Sequence, residues 1–461
     1  TTFVQLFESL VGPGNSQSMK LPALYNSVIV LDEPQALPMK WWKLVRRLAT
    51  ILTEEYDATI VAMTATQPAL FHDAVELVDN VDQYFLKFER VKYEIHESAL
   101  AFDSPDATLD YASAGRTMLK QTGGASSALA VCNTIDSAVA LTDTIEEQVP
   151  VVNVGQHLMK TLEAGPIGGF GIEDAGVEND VTAEIGVSVN RLVDRVADAC
   201  DSGDRALVHL STRLRPRDRL ILIEATKRLS QRSVPLVAVS TQLIEAGVNI
   251  SFDRVYRDIA PIDSIVQAAG RCNRSFERDC GTVTVWWLAS PPSTTKTPSQ
   301  AVYDSRGVST ISLTSKTLDA MDTNKGTVAE RTMTREAVQH YFGLVSDRNP
   351  GDPKFVGWVN ETQAAELNNL SLIGKRDSVD VIVCRTDADR ALVDAMRNAL
   401  ARYDYEMFEE YRQRAKQITI SLPIYSQDSA EAQTVADLNK IPDTELRILE
   451  RSQSKTYFAM T

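Results

Sequence analysis

The chain reads as an α/β protein built on parallel sheets, and three observations predict this. Short apolar runs at residues 28–31, 128–132 and 236–239 have the length and continuity of strands buried on both faces. Each ends in a polar turn, Asp32-Glu33-Pro34-Gln35, Asn133-Thr134 or Ser240-Thr241-Gln242, where an α/β sheet presents its functional groups. Helical patterns then follow, as over residues 136–145, giving the strand–turn–helix order of parallel units.

Composition sets the bounds. A chain of 461 residues is too long for one core and suggests two to four domains. Hydrophobic content of 44 % and charged content of 24 % fit a soluble globular protein. No apolar run approaches a membrane span and no signal peptide is apparent, so no membrane partner is expected. Five cysteines without a C-x-x-C pair read as reduced thiols, pointing to a cytoplasmic protein without a zinc site or disulfide framework. A net charge of −15 argues against a nucleic-acid partner until its distribution is considered. Residues 201–280 hold 13 Lys/Arg against 10 Asp/Glu and are net positive.

Taken in order, residues 28–31 form a strand ending in Asp32 and Glu33. A carboxylate there is where an NTPase holds Mg2+, and the next can orient or deprotonate the attacking water. An acidic turn favoured by Pro34 is the plainer alternative. A second strand at 60–63 ends in Thr64-Ala65-Thr66, a hydroxyl-rich turn. Trp41 and Trp42 lie between and read as packing residues. A strand at 93–96 and a helix lead to Gly123-Gly124, a domain boundary. The Gly-rich, acidic stretch 153–186 reads as a loop or insertion.

The strand at 207–210 is left by Ser211-Thr212-Arg213-Leu214-Arg215-Pro216-Arg217-Asp218-Arg219. Arg213, Arg215, Arg217 and Arg219 form the densest positive patch and suit the phosphates of a nucleic acid. On an extended turn, two of the four would face the strand at once. Beyond Thr241, Gly247 allows a close backbone approach, and a strand begins at Val255 and Tyr256. A helix with Asp263 or Ser264 as N-cap carries Gln267 toward Gly270, Arg271 and Arg274. The spacing predicts both guanidinium groups on one side of that helix, poised for a polyphosphate. One more strand follows at 283–288, and 290–301 reads as a linker. Residues 314–345 read as helical, and the last hundred residues as strand (379–384), long helix (387–416) and strand (418–423).

The order T-x-x-x-x-x-G-V-N-I, then Q-x-x-G-R-x-x-R, resembles the fifth and sixth motifs of superfamily 2 helicases. With SVIVLDEPQALP, MTATQP, HLSTRLRPRDR and YRDIAPIDSIVQAAGRCNR, the chain resembles the CRISPR-associated helicase of type I interference systems. The likeness covers residues 1 to about 345 well and the rest loosely. It implies tandem RecA-like lobes with ATP between them and single-stranded DNA across both, in an enzyme recruited by the Cascade surveillance complex. The domain reading is then 1–110 for the end of a first lobe, 121–290 for a second, 291–345 for linker and helix, and 346–461 for a small α+β accessory domain.

By the same resemblance, Asp32 is the Mg2+ ligand, Glu33 the catalytic carboxylate, and Thr64 and Thr66 the coupling motif. Gln35, Gly247, Gln267, Gly270 and Arg271 would line the nucleotide, Arg274 is the arginine finger, and Thr241 joins the four patch arginines on the nucleic acid. Gln35 replaces the family's usual histidine, and Asn249 its usual aspartate. The sequence contains no G-x-x-x-x-G-K-[ST]; Gly374-Lys375 is its only Gly-Lys pair. The nuclease's His/Asp ligands are not found either, His72-Asp73 being the only adjacent pair. The expectation is therefore an N-terminally truncated helicase, inactive alone. The competing readings are a non-catalytic module that binds single-stranded nucleic acid, and a DEAD-like RNA helicase.

Overall fold

A computed structural model describes residues 3–12, 21–64, 66, 70–71, 74–80, 83, 89–102, 104, 107–122, 127–163, 181–200, 204–244, 249–305, 308–321, 326–368, 370, 372, 378–424, 433 and 435–450. The chain forms two compact units. One is Thr1–Ala107, Ile259–Ala269 and Tyr303–Lys375; the other is Thr108–Asp258, Gly270–Val302 and Arg376–Thr461.

The first unit begins with α1 (Phe3–Val11), β1 (Val28–Asp32), α2 (Trp42–Glu55), β2 (Thr59–Met63) and β3 (Val91–Ile95). The second then runs through α3 (Tyr111–Gln121), β4 (Ser127–Val131), α4 (Ile135–Gln148), β5 (Val151–Asn153) and α5 (Val154–Glu163). It continues with α6 (Val181–Cys200), β6 (Arg205–Leu210), α7 (Pro216–Gln231), β7 (Leu236–Ser240) and β8 (Arg254–Asp258). Helix α8 (Ile262–Ala269) belongs to the first unit and β9 (Gly281–Trp286) to the second. The first unit also holds α9 (Thr310–Ala320), β10 (Thr327–Ala329), α10 (Val338–Asp347) and α11 (Pro353–Asn360). The second closes with β11 (Ser378–Val383), α12 (Asp387–Ala401), α13 (Tyr405–Ala415), β12 (Thr419–Pro423), β13 (Asn439–Lys440) and β14 (Arg447–Leu449).

The second unit carries the large parallel sheet. Its strands run β9-β8-β4-β7-β6-β5, all parallel. Every residue of β4, β7 and β9 is buried, for β4 and β7 as their unbroken apolar runs predict, whereas the similar run of β1 leaves Val28 and Val30 exposed. Thr134 starts α4 with a capping box to Ser137, so the polar turn after β4 satisfies the first N–H groups of the helix. The chain leaves β4 for the β5 edge, returns through β6 and β7, then crosses to β8. The β4–β8 junction is thus a switch point, with the carboxyl ends of both strands beside it.

The last residues form a small mixed sheet, β12-β11-β14-β13. Val381 and Val383 face one core with Ile420 and Leu422, while Ile382 faces another with Leu392, Met396 and Ile448. This is the period-two alternation of a strand covered on both sides. In the first unit, β1 and β2 pair in parallel and β3 pairs antiparallel with β10. Helix α2 buries Trp42, Leu44, Val45, Leu48 and Leu52. Trp41 lies 4.3 Å from the Phe355 ring centroid, so both tryptophans pack in the interior as expected.

Several boundaries differ from the expectation. Part of the Gly-rich stretch is helical, in α5 and the start of α6, and its centre lies outside the described residues. Helix α8 starts at Ile262, ahead of Asp263 and Ser264. The helical 314–345 stretch is interrupted by β10. The long helix at 387–416 is two helices, broken where Tyr403 takes a positive φ of 60°. A helix at Pro298–Tyr303 occupies the end of the supposed linker.

Candidate catalytic centre

Strand β1 delivers Asp32, exposed, at its carboxyl end, and Glu33 follows with φ 50° and ψ 53°. Left-handed backbone is costly for a residue with a Cβ and tends to persist where the surroundings impose it. Here the Glu33 N–H bonds the Met63 carbonyl of β2 at 2.8 Å, and the Pro34–Ala36 turn begins at once. The reversal aims the Glu33 carboxylate at three polar side chains. Gln35 Nε2 donates to Glu33 Oε2, and Gln267 Nε2, from α8, lies 3.3 Å from the same oxygen. Thr64 Oγ1 lies 3.5 Å from it.

Thr64 joins the two strand ends. Its hydroxyl sits 2.8 Å from Gln35 Oε1 and 2.6 Å from the Thr66 carbonyl, and it accepts the Thr66 N–H at 3.0 Å. One hydroxyl proton therefore has three acceptors in reach, and only one can take it at a time. Gln35 and Thr66 are buried, and Thr66 Oγ1 has no hydrogen-bond partner among the described residues. Residues expected from separate stretches (Glu33, Gln35, Thr64, Thr66 and Gln267) thus form one connected cluster. Two amide donors on Oε2 fix the orientation of the carboxylate.

The arginine motif departs from the expectation. Helix α8 stops at Ala269, so Gly270, Arg271 and Arg274 lie beyond it and the two guanidinium groups do not share a helix face. Arg271 is buried and donates from Nε to the Ile244 carbonyl at 2.8 Å, tying it to the turn after β7. Arg274 is exposed on a turn that starts at Asn273, where φ is 44°. Asn273 closes that turn through its side chain, accepting the Arg278 N–H and donating to its carbonyl at 3.1 and 2.8 Å. Thr241 is buried at the end of β7, and Gly247 lies outside the described residues.

The four-arginine patch requires a correction. Helix α7 starts at Pro216, so Arg217 and Arg219 are in its first turn and no extended alternation exists. Arg215 has no exposed surface. It forms a two-pronged ion pair with Asp218, Nε–Oδ2 at 2.6 Å and Nη2–Oδ1 at 2.8 Å. Its Nη1 bonds Asp389 at 2.8 Å and the Val383 carbonyl at 2.9 Å. Arg217 reaches Asp389 as well, at 3.1 Å. Burial alone would raise the Asp389 carboxyl, but Arg215, Arg217 and the Arg385 N–H hold it below the ordinary range. Arg215 is therefore a clamp between the large and small sheets of the second unit and touches no external phosphate. Arg213 and Arg219 are half-buried.

A further polar cluster escaped the sequence reading. At the β4–β8 switch point, buried Arg257 donates to Asn133 Oδ1 at 2.6 Å, and Asn133 Nδ2 to Asp258 Oδ2 at 2.7 Å. Asp258 Oδ1 also accepts the Leu288 N–H at 3.0 Å. The signal available was the Arg-Asp pair closing β8 opposite the Asn closing β4.

Comparison with known proteins points one way. The family model described as CRISPR-associated nuclease/helicase Cas3, C-terminal, matches residues 182–277. The CRISPR-associated nuclease/helicase Cas3 of Haloferax volcanii is 36 % identical over 482 residues, covering 92 % of this chain and 50 % of that protein. The protein of the same description from Methanothermobacter thermautotrophicus is 34 % identical over 92 residues, 20 % of this chain and 11 % of the relative. Among solved structures, T. fusca Cas3 with ATP aligns at a TM-score of 0.56 and 12 % identity, over 97 % of this chain and 53 % of that one. The AMPPNP form aligns at 0.53 and 13 %, over 92 % and 50 %. The chain spans about half the length of the Haloferax volcanii relative.

Proposed function

Because the chain is a homologue of the CRISPR-associated nuclease/helicase Cas3, matched over about half of the Haloferax volcanii protein, we propose that it carries the hydrolytic carboxylates of an ATP-dependent single-stranded DNA helicase or translocase. Its units are parts of two RecA-like lobes, and its partners are single-stranded DNA and a Cascade-type surveillance complex. One observation carries this reading: Glu33 accepts hydrogen bonds from Gln35 and Gln267 on one oxygen. Among the described residues no hydrogen bond reaches its Oε1, which leaves that oxygen to orient a water and take its proton.

The donor set fits Mg2+ bound in the manner of phosphoryl-transfer enzymes, through one or two carboxylates and the substrate phosphates. Asp32 would hold it, and the ion would neutralise charge on the transferred phosphate. No group of three or more His, Cys, Asp and Glu side chains that could hold a metal occurs among the described residues, so an all-protein cage is not what these residues build. Thr64 links Glu33 to Thr66, so a shift of its single proton between acceptors is a route by which nucleotide state reaches the neighbouring turn. Arg274, exposed on its own turn, is free to reach a phosphate as the arginine finger, while Arg271 holds the turn after β7.

The sequence contains no G-x-x-x-x-G-K-[ST], the loop that wraps the β- and γ-phosphates in backbone N–H groups. The test therefore combines this chain with the part of the Haloferax volcanii relative that it does not match. Phosphate release stimulated by single-stranded DNA in the mixture, and none from this chain alone, supports the reading. DNA binding without turnover in the mixture supports a non-catalytic binding module instead, and stimulation by RNA alone supports an RNA helicase.

A further inference from the structure

Glu33 takes left-handed backbone at the head of one short helical turn, Pro34–Ala36, whose N-terminal residue makes no side-chain cap. Neither feature sustains itself, since left-handed backbone is costly for a residue with a Cβ and so short a turn closes few hydrogen bonds. Such a conformation persists where its surroundings over-determine it. At one end the Glu33 N–H is held by the Met63 carbonyl. The other end is held by Trp42, whose indole Nε1 donates to the Leu37 carbonyl at 3.1 Å, one residue past the turn. Leu37 is already in extended backbone, so its carbonyl has left the helical pattern.

The indole is itself fixed. Trp42 is buried, and its ring lies 6.3 Å from that of Phe342 on α10. Phe342 in turn meets the Tyr341 ring edge to face at 5.2 Å, and both are buried. Helix α10 also packs on α8, the helix that carries Gln267. Burial raises the Tyr341 phenol first, and the Asp263 carboxylate of α8 raises it further. The two amide donors on Glu33 thus trace back to one support. Gln35 reaches it through Leu37, Trp42 and Phe342, and Gln267 through α8.

We propose that Trp42 is a positioning residue for Glu33: its indole N–H, backed by Phe342, holds the turn that sets the Gln35 amide on Glu33 Oε2. Packing alone would accept any apolar ring of similar size. A buried indole needs a partner for its N–H, and here the partner is the carbonyl that closes the Gln35 turn.

Hydrogen exchange on the intact chain reads the turn directly, through the Ala36 and Leu37 amides that bond the Glu33 and Pro34 carbonyls. Trp42→Phe keeps a ring and removes the donor. It should speed exchange of those two amides about tenfold and leave α2 amides such as those of Leu48 and Leu52 as in the parent. Phe342→Leu, which keeps the indole N–H and removes its backing, should show the same pattern. Combined with the unmatched part of the Haloferax volcanii protein, Trp42→Phe should lower DNA-stimulated turnover about tenfold with KM for ATP unchanged. In a Gln35→Ala background it should add no further loss, because both changes act through one amide. The proposal is overturned if the turn amides exchange as in the parent, if α2 loosens as much as the turn in both variants, or if the losses from Trp42→Phe and Gln35→Ala multiply. The turnover measurement rests on the helicase reading. Faster exchange in the turn with no turnover from the parent mixture contradicts that reading and leaves the positioning role of Trp42 standing.

Discussion

Glu33 and Arg215 each anchor a charged network at a strand end, yet the two networks are built for different ends. Around Arg215, charge is balanced and enclosed: a buried guanidinium meets two carboxylates and a carbonyl, and none of its surface is exposed. Around Glu33, a half-buried carboxylate receives two amide donors on one oxygen, and a single threonine proton lies within reach of three acceptors. The first arrangement is complete within the chain. The second has acceptor capacity left over beside an exposed Asp32, the condition for recruiting an external cation and water. Closure of the hydrogen-bonding account, more than charge density, separates a structural cluster from a functional one.

The comparison can be broken most forcefully at Arg274, the one motif arginine left exposed. When the chain is combined with the unmatched part of its relative, Arg274→Ala should lower DNA-stimulated turnover about a thousandfold, the scale for an arginine finger. Nucleotide affinity, measured by equilibrium binding, should change far less. An equal fall in both would make Arg274 a ground-state binder.

Arg215→Ala should act on stability instead. Removing Arg215 leaves the buried Asp218 carboxylate without its cation and Asp389 with Arg217 alone, and the loss of one member of a buried ion network costs about 3–5 kcal/mol. Arg219→Ala, nearby and half-buried, should stay within about 0.5 kcal/mol. Denaturant unfolding followed by circular dichroism compares the two, and equal costs would remove the distinction drawn here.

Acid offers a gentler probe. His209 on β6 sits with Nδ1 3.2 Å from Thr142 Oγ1, and its Nε2 is buried without a hydrogen-bond partner among the described residues. Burial pushes this imidazole down from 6.5 to about 4. The unfolded chain therefore takes up this proton first. Stability is fully present above pH 6.5 and declines toward pH 4 by on the order of 3 kcal/mol. Asp389, held below its ordinary 3.8, gives up its contribution only at lower pH, as the pH falls through its folded value. In His209→Gln the loss between pH 6.5 and 4 should largely disappear; an unchanged profile would assign it elsewhere.

The smallest effect concerns nucleic acid. With Arg215 enclosed and Arg217 engaged by Asp389, Arg213 and Arg219 are the patch members left to meet phosphates. Each alanine substitution there should lower the log–log salt slope of single-stranded DNA binding by about 0.7. Unchanged slopes would show an ordinary solvated surface.

The strands were legible because continuous apolar runs such as those of β4 and β7 have few other uses, and the polar turns after them follow from sheet geometry. Glu33, Gln35, Thr64 and Gln267 were legible as motif members. Their convergence was not, since it depends on the left-handed turn at Glu33 and on α8 packing within the first unit. The arginine patch misled because one-dimensional spacing does not reveal a partner such as Asp389, 174 residues from Arg215. Arg271 and Arg274 misled because a helix ending at Ala269 separates side chains that an uninterrupted helix would align. The pairing of Asn133 with Asp258 went unseen because it appears only when the sheet order sets the two side by side.

The central claim, that the Glu33 cluster exists for chemistry while the Arg215 cluster exists for structure, is tested most directly by Glu33→Gln. The measurement pairs the melting temperature of the free chain with DNA-stimulated phosphate release after combination with the unmatched part of the relative. Glutamine keeps the shape and one acceptor oxygen but cannot take a proton, so melting should stay within about 1 °C while turnover falls at least a hundredfold. A large drop in melting temperature with turnover retained would mean that Glu33, like Arg215, serves the fold.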